Sequence, residues 1–227
     1  MKKSNRIEGV FIDPETPIDD PNVVRENVIP RKADPSMYDI AGTWKIGKRV
    51  AREIIDVYEE MPEEDIKSEA KFSHEYIKLD LPLRRVTPSE CEAAEKTIKE
   101  FVEKTESFNF AANAAMHVHA GTIARYRLQE KVDIYPTEVH IARFGDVAFA
   151  TNAFELFLDY GNQIKARSKA MQTFIVQLAC GTDGYLPTKK AEEGSHYSAY
   201  VSSGVVGHAG GELLVRKTLE VINKIFK

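Results

Sequence analysis

The chain has 227 residues, of which 43% are hydrophobic and 29% charged, as is typical of a folded globular protein. Its formal net charge of −4 favours neither nucleic acid nor an anionic membrane as a partner, and no apolar run approaches the roughly 18 residues that would cross a bilayer. The N-terminal residues lack the apolar stretch of a signal peptide. Two cysteines cannot form a disulfide framework, and we interpret Cys91 and Cys180 as buried thiols.

Residues 1–37 differ in composition from the rest of the chain. They contain half of the ten prolines and show no sustained periodicity, so we predict an extended arm that lies on a surface. An unstructured segment of this length is unusual in a compact domain. Two explanations stay open: the chain is the later part of a larger fold whose N-terminal half is missing, or the arm contacts a neighbour in a homo-oligomer. The predicted organisation is therefore an arm, 1–37, followed by a single domain, 38–227.

The next part of the chain shows helical and strand periods in turn. Apolar residues at spacings of three and four predict a helix that starts near Asp39 and ends before Pro62. Strict alternation of apolar residues predicts a half-buried strand within 70–83. The sequence Thr87-Pro88-Ser89-Glu90 is a capping box that begins a second helix, and the Ala-rich residues 108–131 predict a third.

A β-hairpin is predicted next, because two apolar runs flank Gly145-Asp146. Strands and helices interleave along the whole domain, so the predicted class is α/β (mixed α+β), with one mixed β-sheet flanked by helices. The remaining predicted segments are a helix over 154–168, a strand over 173–178, a Gly-rich loop over 181–210 and a closing helix over 212–226.

The sequence Met116-His117-Val118-His119 raises the question of a metal site. Two ligands two residues apart share a face on a strand, but on a helix they lie about 200° apart. The surrounding residues favour a helix. We therefore predict that His117 and His119 do not bind one metal ion together, and that one is buried while the other is exposed.

Three oxygen-bearing side chains in the C-terminal third are better candidates. Glu155 is predicted where a strand gives way to a helix, and Tyr185 lies on the loop that leaves the next strand. Tyr197 follows in the sequence SHYSAY. Because ligand sites often form at the carboxyl ends of strands, these residues predict an oxygen-rich site there. The plainer interpretation is a helix-terminal charge and packed tyrosines.

The run from about Glu138 to Phe226 resembles the C-terminal part of the catalytic domain of the neutral/alkaline, non-lysosomal ceramidase family, and more closely still the uncharacterised bacterial proteins related to that family. The resemblance rests on motifs that occur in order over about two-thirds of the chain, with 79–90 matching more loosely. They are GDVAFATN, NAFELF, GYLPT, Tyr197 twelve residues after Tyr185, and VGHAGGELLVRKTLEVI.

The resemblance implies an activity and a set of site residues. Ceramidases hydrolyse amides with a zinc ion, so it implies zinc as cofactor and an amide or lipid-like substrate. By position Glu155 and Tyr185 would be zinc ligands, and Tyr197 would be a catalytic residue near the active centre. The sequence departs from the family at Ala153-Phe154, where ceramidases usually carry a pair such as Pro-Gly.

A more serious departure is that the two zinc-binding histidines of ceramidases belong to a half of the catalytic domain that has no counterpart here. The first hypothesis is therefore that the chain is the C-terminal portion of a ceramidase-like amide hydrolase and is inactive by itself. The second is a non-catalytic structural or binding protein that keeps the fold without the metal. The third is a self-sufficient site that recruits a histidine of this chain, drawn from His117, His119, His140, His196 and His208.

The glycines of GHAGGE, residues 207–212, allow two interpretations. The first is an anion site formed by backbone N–H groups at the start of the last helix. The second, which we favour, is a tight turn into that helix.

Overall fold

The structure is a computed structural model that describes residues 9–12, 28–31, 39–105, 109–194 and 196–227. Most of the predicted N-terminal arm therefore lies outside the described residues. Backbone contacts divide the chain into two units, residues 1–68 and 69–227. We predicted the boundary after residue 37; in this division the helix that begins at Asp39 belongs to the first unit.

The first unit contains two short strands and one long helix. Strands β1 (Gly9–Ile12) and β2 (Val28–Arg31) pair in antiparallel fashion within the segment predicted to be an arm. Helix α1 (Asp39–Glu59) has the predicted start and ends before Pro62, and a single 3-10 turn follows at Glu63–Asp65.

The second unit is built around a four-stranded sheet in the order β3-β4-β5-β7, in which the first two pairings are antiparallel and the third is parallel. Helices flank this sheet, so the predicted class of one mixed sheet with flanking helices is confirmed. A two-stranded parallel ladder joins β6 to β8. The strands are β3 (Phe72–Pro82), β4 (Ile134–Phe144), β5 (Val147–Thr151), β6 (Glu155–Leu156), β7 (Gln172–Val176) and β8 (Tyr185–Leu186). The helices are α2 (Pro88–Lys104), α3 (Phe110–Leu128), α4 (Leu158–Arg167), α5 (Lys189–Gly194) and α6 (His208–Ile225).

Helices α4 and α6 pack against one face of the sheet and form the core with it. Burial alternates along β3 as its sequence predicts, because successive strand residues point to opposite faces. The opposite face of the sheet carries exposed aromatic side chains. The buried core includes Leu81, Val139, Ile141, Ala148, Phe154, Leu156, Tyr160, Leu186, Leu214 and Ile222. The exposed aromatic side chains of the opposite face include Phe72, Phe144, Phe149 and Phe174.

The capping box at the start of α2 is confirmed. The backbone N–H of Thr87 donates to Glu90 Oε2 at 2.7 Å, and the backbone N–H of Glu90 donates to Thr87 Oγ1 at 3.3 Å. Pro88 occupies the first turn, where no N–H is needed. None of the described helices is long and apolar enough to span a bilayer.

Two predictions around the candidate site are wrong. The helix predicted over 154–168 begins only at Leu158, because the preceding residues form β6. The loop predicted over 181–210 contains β8, α5, two 3-10 turns and the start of α6. Of the two cysteines, Cys91 is buried as predicted, whereas Cys180 is exposed.

Candidate functional site

The β6–β8 ladder sets the position of Glu155 relative to Tyr185. The two residues are register partners in parallel strands, so their side chains leave the ladder side by side. The backbone N–H of Glu155 donates to the carbonyl of Gly184 at 3.0 Å, and that of Phe157 donates to the carbonyl of Leu186 at 3.3 Å. These bonds explain why this stretch is extended and does not begin a helix. Glu155 therefore lies on a strand, three residues before the helix that we predicted it would start.

The loop between β7 and β8 holds this ladder against the end of the sheet. Asp183 donates its backbone N–H to the carbonyl of Ala153 at 2.8 Å. Leu178 and Cys180 adopt the left-handed region, with φ of 54° and 63°, which is unfavourable for residues with a side chain. Backbone strain of this kind concentrates at functional sites. The loop is thus held in one specific conformation beside the ladder, by the bond from Asp183 to Ala153.

A second segment approaches β8 from the other side. Gly184, with φ of 74°, forms an isolated antiparallel bridge with Gly204. A Cβ atom on Gly204 would lie 2.1 Å from the carbonyl oxygen of Tyr185. Only glycine permits this approach, which brings the 3-10 turn at Tyr197–Ala199 next to β8.

Tyr197 reaches Tyr185 through this contact. Their hydroxyl oxygens lie 3.2 Å apart, and their rings meet edge to face with centroids 5.7 Å apart. The pKa of Tyr185 is raised, first by the hydrogen bond with Tyr197 and then by one with Glu155 and by burial. Either hydroxyl of the tyrosine pair can donate, because each carries one O–H and can also accept. The structure thus brings together all three residues of the predicted site.

His196 is the histidine that lies beside these residues. Its ring contacts the ring of Tyr197, with centroids 5.5 Å apart. The pair His117 and His119 lies on α3, as predicted. His117 is exposed, as predicted for one of the two, whereas His119, predicted to be buried, is half-buried.

The remaining two candidate histidines are engaged elsewhere. His140 Nδ1 is 3.0 Å from His74 Nε2 on the exposed face of the sheet, and the two rings are stacked. His208 Nδ1 is 2.8 Å from Glu192 Oε2. Within the described part of the chain, no three His, Cys, Asp or Glu side chains are arranged to hold a metal ion.

A carboxylate of the chain itself occupies the start of the last helix. Glu192 accepts from the backbone N–H of His208 at 2.7 Å, at the position where an external anion would bind. The chain turns into the helix at these glycines, since the N–H of Gly210 donates to the carbonyl of Gly207 at 3.0 Å, and the glycines also allow close packing. A Cβ on Gly210 would lie 2.1 Å from Val206 Cγ1, and one on Gly211 would lie 2.3 Å from the ring of Tyr160.

Two residues that support the site were not found from the sequence. Burial, followed by a hydrogen bond with Asp183, raises the pKa of Tyr135 to about 12. The ring of Tyr135 also packs on that of Phe154, with centroids 6.3 Å apart. Tyr135 therefore packs β4 against Phe154, the residue directly before β6. Asp183 belongs to the motif GTDGYLPT, which the sequence identifies as part of the candidate site. No feature of the sequence identifies Tyr135 as its partner.

Comparisons of the chain with protein-family models, curated proteins and solved structures give no match. The resemblance to ceramidases therefore rests on the sequence motifs alone, and the roles of Glu155, Tyr185 and Tyr197 stay predictions.

Proposed function

We propose that the chain supplies the carboxylate and phenol ligands of a zinc-dependent amide hydrolase of the ceramidase type. The observation that supports this most is the β6–β8 ladder, which places Glu155 opposite Tyr185. The resemblance required these two residues to meet in space although a helix and a strand separate them in the sequence.

The donor atoms fit part of a zinc site. Carboxylate and phenol oxygens are hard donors that Zn²⁺ accepts, but a catalytic zinc ion usually takes three protein ligands, histidine among them. The described residues offer no cluster of three His, Cys, Asp or Glu side chains. We therefore propose that histidines from a further segment or a partner chain complete the site, and that the chain alone does not hydrolyse amides.

The residues of this chain would position one another and the substrate. Glu155 is the register partner of Tyr185, and the Tyr185 hydroxyl lies 3.2 Å from the Tyr197 hydroxyl, so the three side chains restrain one another. Tyr197 is 59% exposed, which places its hydroxyl where a substrate can reach it. In the proposed role this hydroxyl donates a hydrogen bond to the amide oxygen. A zinc ion, when bound, would lower the pKa of a water molecule so that it can attack the carbonyl.

Zinc titration calorimetry of the full chain and matched variants tests the proposal. We expect the wild type to take up zinc only weakly, because this chain supplies two of the proposed ligands, and Glu155→Gln and Tyr185→Phe each to weaken this binding further by at least about tenfold, since each removes a donor oxygen or its charge. Glu220→Gln, a substitution at an exposed position on α6, is the matched control and should bind like the wild type. Circular dichroism checks that all four proteins are folded.

Equal zinc uptake by the wild type and Glu155→Gln would overturn the proposal, as would a wild type that takes up no zinc. The second of these results is the one that the alternative hypothesis predicts, in which the chain is a structural or binding protein that keeps the fold without the metal.

A further inference from the structure

A cavity of about 350 Å³ lies between the end of β3 and the start of α6. Sites for small ligands in proteins measure roughly 300–1,000 Å³, so the cavity is large enough for a small molecule. Neither Glu155 nor Tyr185 lines it, which separates it from the proposed zinc site. The charged and titratable side chains that line it are Arg84, Arg85, Glu90, Glu192 and His208.

Glu192 holds His208 at this cavity by two hydrogen bonds. Its Oε1 accepts from the backbone N–H of His208 at 2.7 Å, and its Oε2 lies 2.8 Å from Nδ1 of the imidazole. A carboxylate can only accept, so Nδ1 carries a hydrogen and donates it. In the neutral ring Nε2 is then left with a free lone pair.

Nε2 of His208 is free to meet a ligand. Within the described part of the chain it makes no hydrogen bond, and it is accessible to solvent. The His208 side chain is 35% exposed, whereas that of Glu192 is only 13% exposed. A withdrawn carboxylate that orients an accessible imidazole is the arrangement in which many hydrolases hold a general base.

Gly207 makes room for this pair. A Cβ atom there would lie 2.8 Å from Glu192 Oε1 and 2.9 Å from Arg84 Cβ, so a larger residue would displace both side chains. Arg84 Nε lies 3.9 Å from Glu192 Oε2 and partly balances its charge. Three separate parts of the chain therefore meet to hold the imidazole of His208.

The charges around the cavity cancel. Two arginines and two glutamates line it, and His208 is uncharged when its ring is neutral. Glu90 is engaged in the capping box of α2, and Arg85 is paired with Asp133. A cavity without net charge favours an uncharged ligand over an anion or a cation.

We infer that this cavity is a hydrolytic site for small uncharged esters, in which His208 is the general base. In the first step Nε2 takes a proton from a water molecule, and the water oxygen bonds to the ester carbonyl carbon. In the second step the bond from that carbon to the alcohol oxygen breaks, and the alcohol oxygen takes the proton from Nε2. Water is the only co-reactant, and His208 returns to its neutral form.

Glu192 is a positioning residue in this scheme. It fixes the ring hydrogen on Nδ1 and stabilises the imidazolium that exists between the two steps. An ester is the expected substrate class because an alcohol leaves a carbonyl carbon more readily than an amine does. The inference is independent of the proposed zinc site.

Hydrolysis of p-nitrophenyl acetate by the full chain tests the role of His208. The wild type should release p-nitrophenolate over several turnovers, and His208→Gln should lower kcat by at least about tenfold. This substitution keeps the backbone N–H from which Glu192 accepts, so the fold is retained, as circular dichroism can verify. His117→Gln, at an exposed position on α3, is the matched control and should hydrolyse the ester like the wild type.

Glu192→Gln tests the positioning role. The amide oxygen can still accept from the backbone N–H of His208, but the amide N–H₂ then faces Nδ1 and requires Nδ1 to accept. The ring hydrogen moves to Nε2, which nitrogen-15 NMR of His208 detects. We expect kcat to fall by at least about tenfold while KM stays within about twofold of the wild-type value.

Three results would overturn the inference. The first is a wild type that releases p-nitrophenolate no faster than His208→Gln, or that stops after one equivalent per chain. The second is an equal loss of activity in His117→Gln. The third is a loss of the activity in Glu155→Gln, which would place ester hydrolysis at the proposed zinc site.

Discussion

Gly204 limits what can lie beside Tyr185. Its φ of −159° corresponds to an extended backbone, which any residue can adopt. An alanine would be unfavourable there only because its Cβ would lie 2.1 Å from the Tyr185 carbonyl oxygen. We predict that Gly204→Ala lowers the free energy of unfolding by about 1–3 kcal/mol, since a backbone atom cannot rotate away. Urea denaturation followed by circular dichroism measures this. Gly194→Ala, where a Cβ would meet open space, is the control, and an equal loss in both would contradict the account.

Tyr135 should make stability depend on pH in the alkaline range. Its pKa rises from 10.0 to about 12 in the folded chain, so its contribution is complete below about pH 10 and is lost as the pH rises towards 12. Tyr135→Phe cannot ionise. We therefore expect its free energy of unfolding to fall less steeply between pH 10 and 12 than that of the wild type. Parallel curves for the two proteins would show that Tyr135 is not held in its neutral form.

At the scale of single elements, the capping box of α2 offers a direct test. Thr87→Ala removes the hydroxyl that accepts from the backbone N–H of Glu90, and should cost about 1 kcal/mol of stability. Thr97→Ala, in the same helix, removes a hydroxyl that only donates to the carbonyl of Ala93, and should change stability by less than about 0.5 kcal/mol. Thermal unfolding measures the stability of both variants. Similar losses of stability would mean that the capping hydrogen bond of Thr87 contributes no more than the side-chain bond of Thr97.

The elements that the sequence predicts well are those that are determined by residues close to one another in the chain. Helix α2 starts where Thr87 and Glu90 cap it, and β3 follows an alternation that can be read residue by residue. The hairpin of β4 and β5 turns at Gly145, whose φ of 59° suits glycine. In each case the residues that decide the structure lie within a few positions of one another.

The elements that the sequence does not predict depend on distant partners. The residues of β6 are extended because the N–H of Glu155 bonds to the carbonyl of Gly184 and that of Leu156 to the side-chain oxygen of Gln177. Gly184 lies in a stretch whose sequence predicts a Gly-rich loop. The same holds for the link between Tyr135 and Asp183. The motifs could name Glu155, Tyr185 and Tyr197 as neighbours, but not the ladder and the glycine contact that bring them together.

At the scale of the whole molecule, the proposed zinc site belongs to one unit of the chain. The ladder and loops around Glu155 and Tyr185 all lie within the second unit, residues 69–227.

Anomalous diffraction at the zinc absorption edge, from crystals of the full chain grown with zinc, tests the central claim most directly. The account predicts an anomalous peak within about 2.0–2.2 Å of a Glu155 carboxylate oxygen, with the Tyr185 hydroxyl oxygen as the second ligand from this chain. The peak should be absent from crystals of Glu155→Gln grown in the same way. Zinc bound elsewhere on the chain, with no peak beside Glu155, would contradict it.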